Sequence, residues 1–157
     1  ELLVSGVTAN AKEAKITVMD IPDKPGMAGR LFSALADANI NVDMIVQSET
    51  RGKTNDISFT VDKTDLQKTI EVVKESVEKI GAGVVVYDQD IAKVSIVGVG
   101  MKSHSGVASL MFKALAEHNI NIEMISTSEI KISCIIRISA MEEAVRVLHK
   151  AFELDKK

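Results

Sequence analysis

The 157-residue sequence has one cysteine, no tryptophan and only two prolines, and aromatic residues make up 3% of it. A lone Cys134 excludes an internal disulfide and a cysteine-based metal cluster, and it suits a reducing compartment such as the cytoplasm. The five aromatics, Phe32, Phe59, Phe112, Phe152 and Tyr87, leave few platforms for stacking bases. Basic excess is missing too. A formal net charge of −3 removes the electrostatic footprint expected of a nucleic-acid or anionic-membrane partner. No apolar run approaches the roughly 20 residues of a membrane helix; Gly83–Tyr87 is typical of the longest. No stretch reads as a secretory leader, and a first residue of Glu1 rather than methionine points to a piece of something longer. What is present is a folded composition, 46% hydrophobic and 26% charged. It suffices for one domain or two small ones of roughly 75 residues.

The chain repeats itself. Gly26–Ile45 and Gly106–Ile125 are identical at 11 of 20 positions, with Asp37/Glu117, Val42/Ile122 and Asp43/Glu123 conservative. Such self-similarity marks two copies of one supersecondary unit. Each copy opens on an alternating strand, Lys15–Asp20 or Lys93–Val97, followed by a loop, Pro22–Gly26 or Lys102–Gly106. A helix follows, with Leu31, Leu35 and Ala38 in one copy and Met111, Phe112 and Leu115 in the other on its apolar face. Asn39 and Asn119 mark the helix ends, because Asn tolerates a left-handed cap. Two strands come next, Val42–Gln47 and Asp56–Val61 in the first copy, Ile122–Thr127 and Ile130–Ile138 in the second. A second amphipathic helix closes each copy, and the first copy adds a strand at Val84–Tyr87.

The order is βαββαβ, an α+β ferredoxin-like arrangement of one antiparallel sheet with both helices on one face. The second copy ends without its last strand, while Leu2–Val7 precedes the first copy without a partner. Strand counting therefore predicts that the N-terminal segment completes the second sheet. The first domain, 14–90, is then an insertion in a second domain made of 1–9 plus 91–157, and its two tethers favour a fixed mutual orientation.

Little in the sequence carries catalytic chemistry. His104, His118 and His149 have no carboxylate or cysteine at ligand spacing and read as surface histidines, so no metal site is expected. Cys134 sits in a strand pattern as a small core side chain. The Gly81–Gly83 and Gly98–Gly100 pairs lack a phosphate-binding context and read as turns. With no Walker sequence, nucleophile elbow or carboxylate dyad, no catalytic residue and no cofactor is expected.

Binding is the better prospect. The segment Asp23–Gly29 leads into a helix past small residues, and the free N–H groups of a helix start attract a carboxylate. Asp23 beside it is placed to accept an ammonium group, so the pair suits a free α-amino acid; a bare helix cap is the alternative role for Asp23. In the second copy Asp23 is replaced by Ser103, Lys24 by His104 and Gln47 by Thr127, so the two sites are expected to be unequal.

The duplicated strand, D-K-P-G loop, helix and N-I-N-V-D strand resemble paired ACT domains, the amino-acid-sensing modules of metabolic enzymes. More narrowly, Gly6–Asn10, Ile91–His104 and Asn121–Ser133 resemble the C-terminal regulatory region of bacterial aspartokinase. That resemblance implies a tail of the catalytic chain or a separate short subunit. It would bind L-threonine, L-lysine or both and feedback-inhibit the kinase that converts ATP and L-aspartate to 4-phospho-L-aspartate for lysine, threonine and methionine biosynthesis. It also implies an aspartokinase catalytic domain or subunit as partner, and a cytoplasmic homodimer in which a first domain pairs with the second domain of another chain. The effector would meet Asp23, Gly26, Met27, Ala28 and Gln47 from one chain, and Val107, Ala108, Asn121, Ile122 and Glu123 from the other. Thr50, Ser58 and Ser128 match positions implicated in feedback sensitivity. Ser105 and Ala108 depart from residues common in the family, which leaves threonine as the leading effector and lysine as the additional one.

Rival readings are an ACT pair regulating a different amino-acid enzyme, an RNA-binding ferredoxin-like fold, a metal carrier and a small hydrolase. The RNA reading needs aromatics on the central strands, where only Phe59 occurs. The carrier needs paired cysteines in the first loop, and the hydrolase a loop arginine; Arg30 already lies in the helix.

Overall fold

The computed structural model describes residues 4–49, 52–81, 83–100 and 105–154. Eight strands and four α-helices follow one another as β1 (Val4–Asn10), β2 (Glu13–Pro22), α1 (Met27–Asp37), β3 (Val42–Glu49), β4 (Thr54–Asp62), α2 (Leu66–Ile80), β5 (Val84–Asp88), β6 (Ile91–Gly98), α3 (Ser105–Glu117), β7 (Met124–Thr127), β8 (Lys131–Arg137) and α4 (Met141–Ala151). They form two compact units. One runs from Lys12 to Gln89, and the other joins the chain before Lys12 to the chain after Gln89.

Each unit is built on one four-stranded antiparallel sheet, ordered β3-β4-β2-β5 in the first and β7-β8-β6-β1 in the second. Strand β1 therefore stands beside β6 as β5 stands beside β2, with Ala9 opposite Val94 and Thr8 opposite Ser95. The unit boundaries lie at 11/12 and 89/90, so the inserted unit starts two residues before the 14 and ends one residue before the 90 read from the sequence. Glu13 already pairs with Asp62, and the Lys12 carbonyl accepts from the Lys63 N–H at 2.8 Å.

Alternation makes the strands. In β2 the side chains of Ala14, Ile16 and Val18 turn to the core, and in β4 those of Ile57, Phe59 and Val61 do the same. Helix α1 answers with Met27, Leu31 and Leu35 at a spacing of four, and α2 with Ile70 and Val73. Phe32 and Phe59 meet edge to face, centroids 5.5 Å apart. The second core gathers Val94, Ile96, Met111, Leu115, Cys134, Ile136 and Leu148, with Val4 from β1.

Both copies end their first helix the same way. The Asn39 N–H bonds to the Ala36 carbonyl at 2.9 Å and the Ile40 N–H to the Leu35 carbonyl at 3.0 Å; Asn119 and Ile120 repeat this on Ala116 and Leu115. Asn39 and Asn119 adopt φ of 58° and 57°, so the repeated Asn-Ile is a Schellman ending with its isoleucine tucked into the core.

Several strand limits differ from those read in the sequence. The N-terminal strand extends to Asn10 because β6 offers partners as far as Lys93. Strand β7 starts at Met124 rather than Ile122, and β8 stops at Arg137, where Ile138 enters a 3-10 turn and its N–H bonds to the Asp90 carbonyl at 2.9 Å. Among the described residues, no helix is long and apolar enough to cross a membrane.

Candidate functional site

The site candidate begins with a defect in a strand. Between Val18 and Ile21 the β2 register slips, so inward-facing residues stand three apart instead of two. Asp20 absorbs the extra residue at φ 60°, and its N–H is held by an Asp56 carboxylate oxygen at 3.0 Å. The bulge turns Ile21 and Pro22 so that the chain arrives at Asp23, whose N–H bonds to the Lys53 carbonyl at 2.7 Å. Gly26 then takes φ 94°, a left-handed conformation that favours glycine, and α1 starts.

The first intrahelical bond runs from the Arg30 N–H to the Gly26 carbonyl at 3.0 Å. The N–H groups of Met27, Ala28 and Gly29 precede it and have no acceptor within the helix, which leaves a partial positive charge at the helix start. Around that start lies a cavity of about 320 Å³ lined by Asp23, Gly26, Met27, Ala28 and Gln47, together with Ile21, Lys24, Pro25, Gly29, Asn55 and Ile57. All five residues that the sequence reading assigns to the first copy face this one space. Asp23 does not cap the helix. No side chain bonds at the α1 cap, and one Asp23 carboxylate oxygen accepts instead from Asn55 Nδ2 at 2.9 Å. Backbone donors for a carboxylate, a carboxylate for an ammonium group and apolar walls of Ile21, Met27 and Ile57 make a receptacle for a small zwitterion.

The second-copy candidates occupy the other unit. Val107 is buried in its core, Ala108 and Ile122 pack against that core, and Asn121 is exposed. Glu123 is gripped by Arg137, Nε to Oε2 at 2.7 Å and Nη2 to Oε1 at 3.0 Å, an ion pair across 14 residues that the sequence did not reveal. Ser103, His104 and Thr50 lie outside the described residues. Ser58 shares a hydrogen bond with Thr17 at 2.9 Å, and Ser128 accepts from the Lys131 N–H at 3.1 Å inside its own turn. Sequence reasoning missed Asn55, which lies under the loop only because of the β2 bulge.

Two further features are bland. Burial pushes the Cys134 thiol up to about 12, which suits a core residue rather than a nucleophile. His118 and His149 line a larger cleft of about 840 Å³ beside α3 and α4, walled by exposed charged side chains. Among the described residues, no group of three His, Cys, Asp or Glu is placed to hold a metal ion.

Fold and cavity together define a class, a tandem pair of ferredoxin-like ACT modules, one inserted in the other. The profile of the ACT domain matches residues 8–77 and 94–152. The aspartokinase of Pseudomonas aeruginosa is 51% identical over 153 residues, 98% of this chain and 37% of that protein. The regulatory subunit of aspartate kinase from Thermus thermophilus superposes with a TM-score of 0.92 at 43% identity, covering 96% of this chain and 99% of that one. A structure of aspartokinase alpha and beta subunits matches with a TM-score of 0.89 at 50% identity over the same shares. The chain belongs to the ACT-domain family and is the regulatory region of an aspartokinase. It spans about 37% of the length of the curated relatives it matches.

Proposed function

We propose that this chain binds a free amino acid, L-threonine with L-lysine as the additional effector, and thereby feedback-inhibits an aspartokinase catalytic domain or subunit that phosphorylates L-aspartate with ATP. The pathway so regulated is lysine, threonine and methionine biosynthesis in the cytoplasm. The single observation that carries this reading is the cavity at the start of α1, where Asp23, Gly26, Met27, Ala28 and Gln47 surround one space of ligand size. The helix start takes the ligand carboxylate and Asp23 takes its ammonium group.

The second half of each site comes from another copy of the chain. Strands β3 and β7 are outer strands of their sheets, and pairing β3 of one protomer with β7 of its partner satisfies both exposed rows of N–H and C=O groups. Val107, Ala108, Asn121, Ile122 and Glu123 of the partner would close the cavity. Effector binding is thereby linked to the arrangement of the dimer, which is what a catalytic partner senses.

Isothermal calorimetry with threonine, with lysine and with each in the presence of the other tests the reading. Asp23→Ala is expected to weaken threonine on the order of 10- to 100-fold, as loss of a charge-assisted hydrogen bond does. Binding of some other amino acid, with threonine and lysine both silent, would keep the sensor and reassign its ligand.

A further inference from the structure

The Asp23 carboxylate is exposed, yet it is anchored by a buried residue. Asn55 is only 6% exposed, and its Nδ2 donates to Asp23 Oδ1 at 2.9 Å while its own Oδ1 is buried without a partner. A carboxylate only accepts, so the amide must turn its nitrogen towards Asp23 and leave its carbonyl in the interior. An orphaned buried carbonyl is a cost to folding. A threonine or an alanine at this register position, opposite Ile21 and Glu49, would avoid that cost. What the asparagine provides is a fixed orientation for an otherwise free surface carboxylate at the mouth of the cavity.

The internal repeat supplies an independent observation. Ser58 bonds Thr17 at 2.9 Å across β4 and β2, and Ser133 bonds Ser95 at 2.7 Å across β8 and β6, so Ser58 and Ser133 are repeat mates. Counting back three residues puts Ile130 in the place of Asn55, and the loop alignment puts Ser103 in the place of Asp23. The acid and its amide are present together in the first copy and replaced together in the second.

We infer that Asn55 is a positioning residue that holds the Asp23 carboxylate ready for the ammonium group of the ligand, and that this acid–amide pair restricts the first-copy cavity to α-amino acids. The inference rests on the amino-acid reading of the cavity and deepens it. One Asp23 oxygen is committed to Asn55 and the other is left for the ligand. Holding the carboxylate in advance removes an ordering cost that binding would otherwise carry.

The parent chain is first titrated with each of the twenty amino acids by calorimetry, and by NMR where affinities are millimolar. The test is then a double-mutant cycle on the full chain, with Asp23→Ala, Asn55→Ala and the double variant titrated with the amino acid the parent binds most tightly, L-threonine being the one expected. Asn55→Ala is expected to weaken binding about tenfold when Asp23 is present and less than twofold when it is absent. Its thermal midpoint should stay within a few degrees of the parent, because the orphaned carbonyl leaves with the amide. Equal losses in both backgrounds would show a merely structural role and overturn the inference, as would unchanged affinity in Asn55→Ala. A parent chain that binds none of the twenty amino acids would overturn the reading of the cavity itself, and the role of Asn55 with it.

Discussion

At the residue scale the two glycines of the α1 start do different work. Gly26 is held at φ 94°, where any Cβ is strained, while Gly29 has helical backbone. A methyl group added at either position meets no atom within 4 Å. Gly26→Ala should therefore destabilise the fold by about 1–2 kcal/mol through backbone strain alone. Gly29→Ala should stabilise it, by up to about 1 kcal/mol, by restricting the unfolded chain and improving helix propensity. Gly29 also lines the cavity, so the same methyl occupies space beside the free N–H groups. The expected outcome for Gly29→Ala is a higher midpoint in urea together with amino-acid affinity at least tenfold weaker. A variant that is both more stable and equally avid would show that the ligand does not approach the helix start closely.

At the scale of elements, the proposed assembly rests on the outer strands β3 and β7. Ile45 on β3 and Ile125 on β7 stand 80 residues apart at the same place in the repeat, and they are 54% and 43% exposed. Equivalent apolar side chains on two outer strands are what strand-to-strand pairing would cover. Ile45→Asp and Ile125→Asp should each convert a dimer to monomers in light scattering, with far-UV circular dichroism unchanged. If β3 pairs with β7 of the partner, mixing the two variants restores a dimer, since one of its two seams then has both isoleucines. If β3 pairs with β3, Ile125→Asp has no effect.

Strands β2 and β4 were legible in the sequence because the alternation of Ile16, Val18, Ile57 and Phe59 depends on near neighbours alone, and the repeat of Gly26–Ile45 at Gly106–Ile125 carried the helices and their endings from one copy to the other. The Asn39 and Asn119 caps were legible for the same reason. What escaped were consequences of register. The slip at Asp20 is one extra residue in a strand, and only three-dimensional pairing reveals that it slides Asn55 beneath Asp23. The grip of Arg137 on Glu123 likewise joins a strand end to a loop that share no local pattern.

At the scale of the whole molecule, the insertion makes the two units unequal in how they depend on the chain. The unit from Lys12 to Gln89 is continuous, owns all four strands of its sheet and has its own core around Phe59, Leu31 and Val73. The other unit is complete only with β1, which pairs with β6 from Gly6 to Asn10 and sends Val4 into the core. Residues 12–89 alone should therefore unfold cooperatively in urea, with the Asn39 Schellman ending and the Phe32–Phe59 contact intact by NMR. Residues 90–157 alone should not. Without β1 the β6 edge is unpaired, Val94 and Ile96 lose a neighbour, and a core this small has little stability in reserve. Adding a peptide of residues 1–11 should restore structure to that fragment in a saturable way, because the missing element is a strand with one defined register rather than a loop. A fragment 90–157 that folds equally well with and without the peptide would show that β1 is an accessory to the second unit. The first unit would then be appended to a finished domain rather than inserted into one.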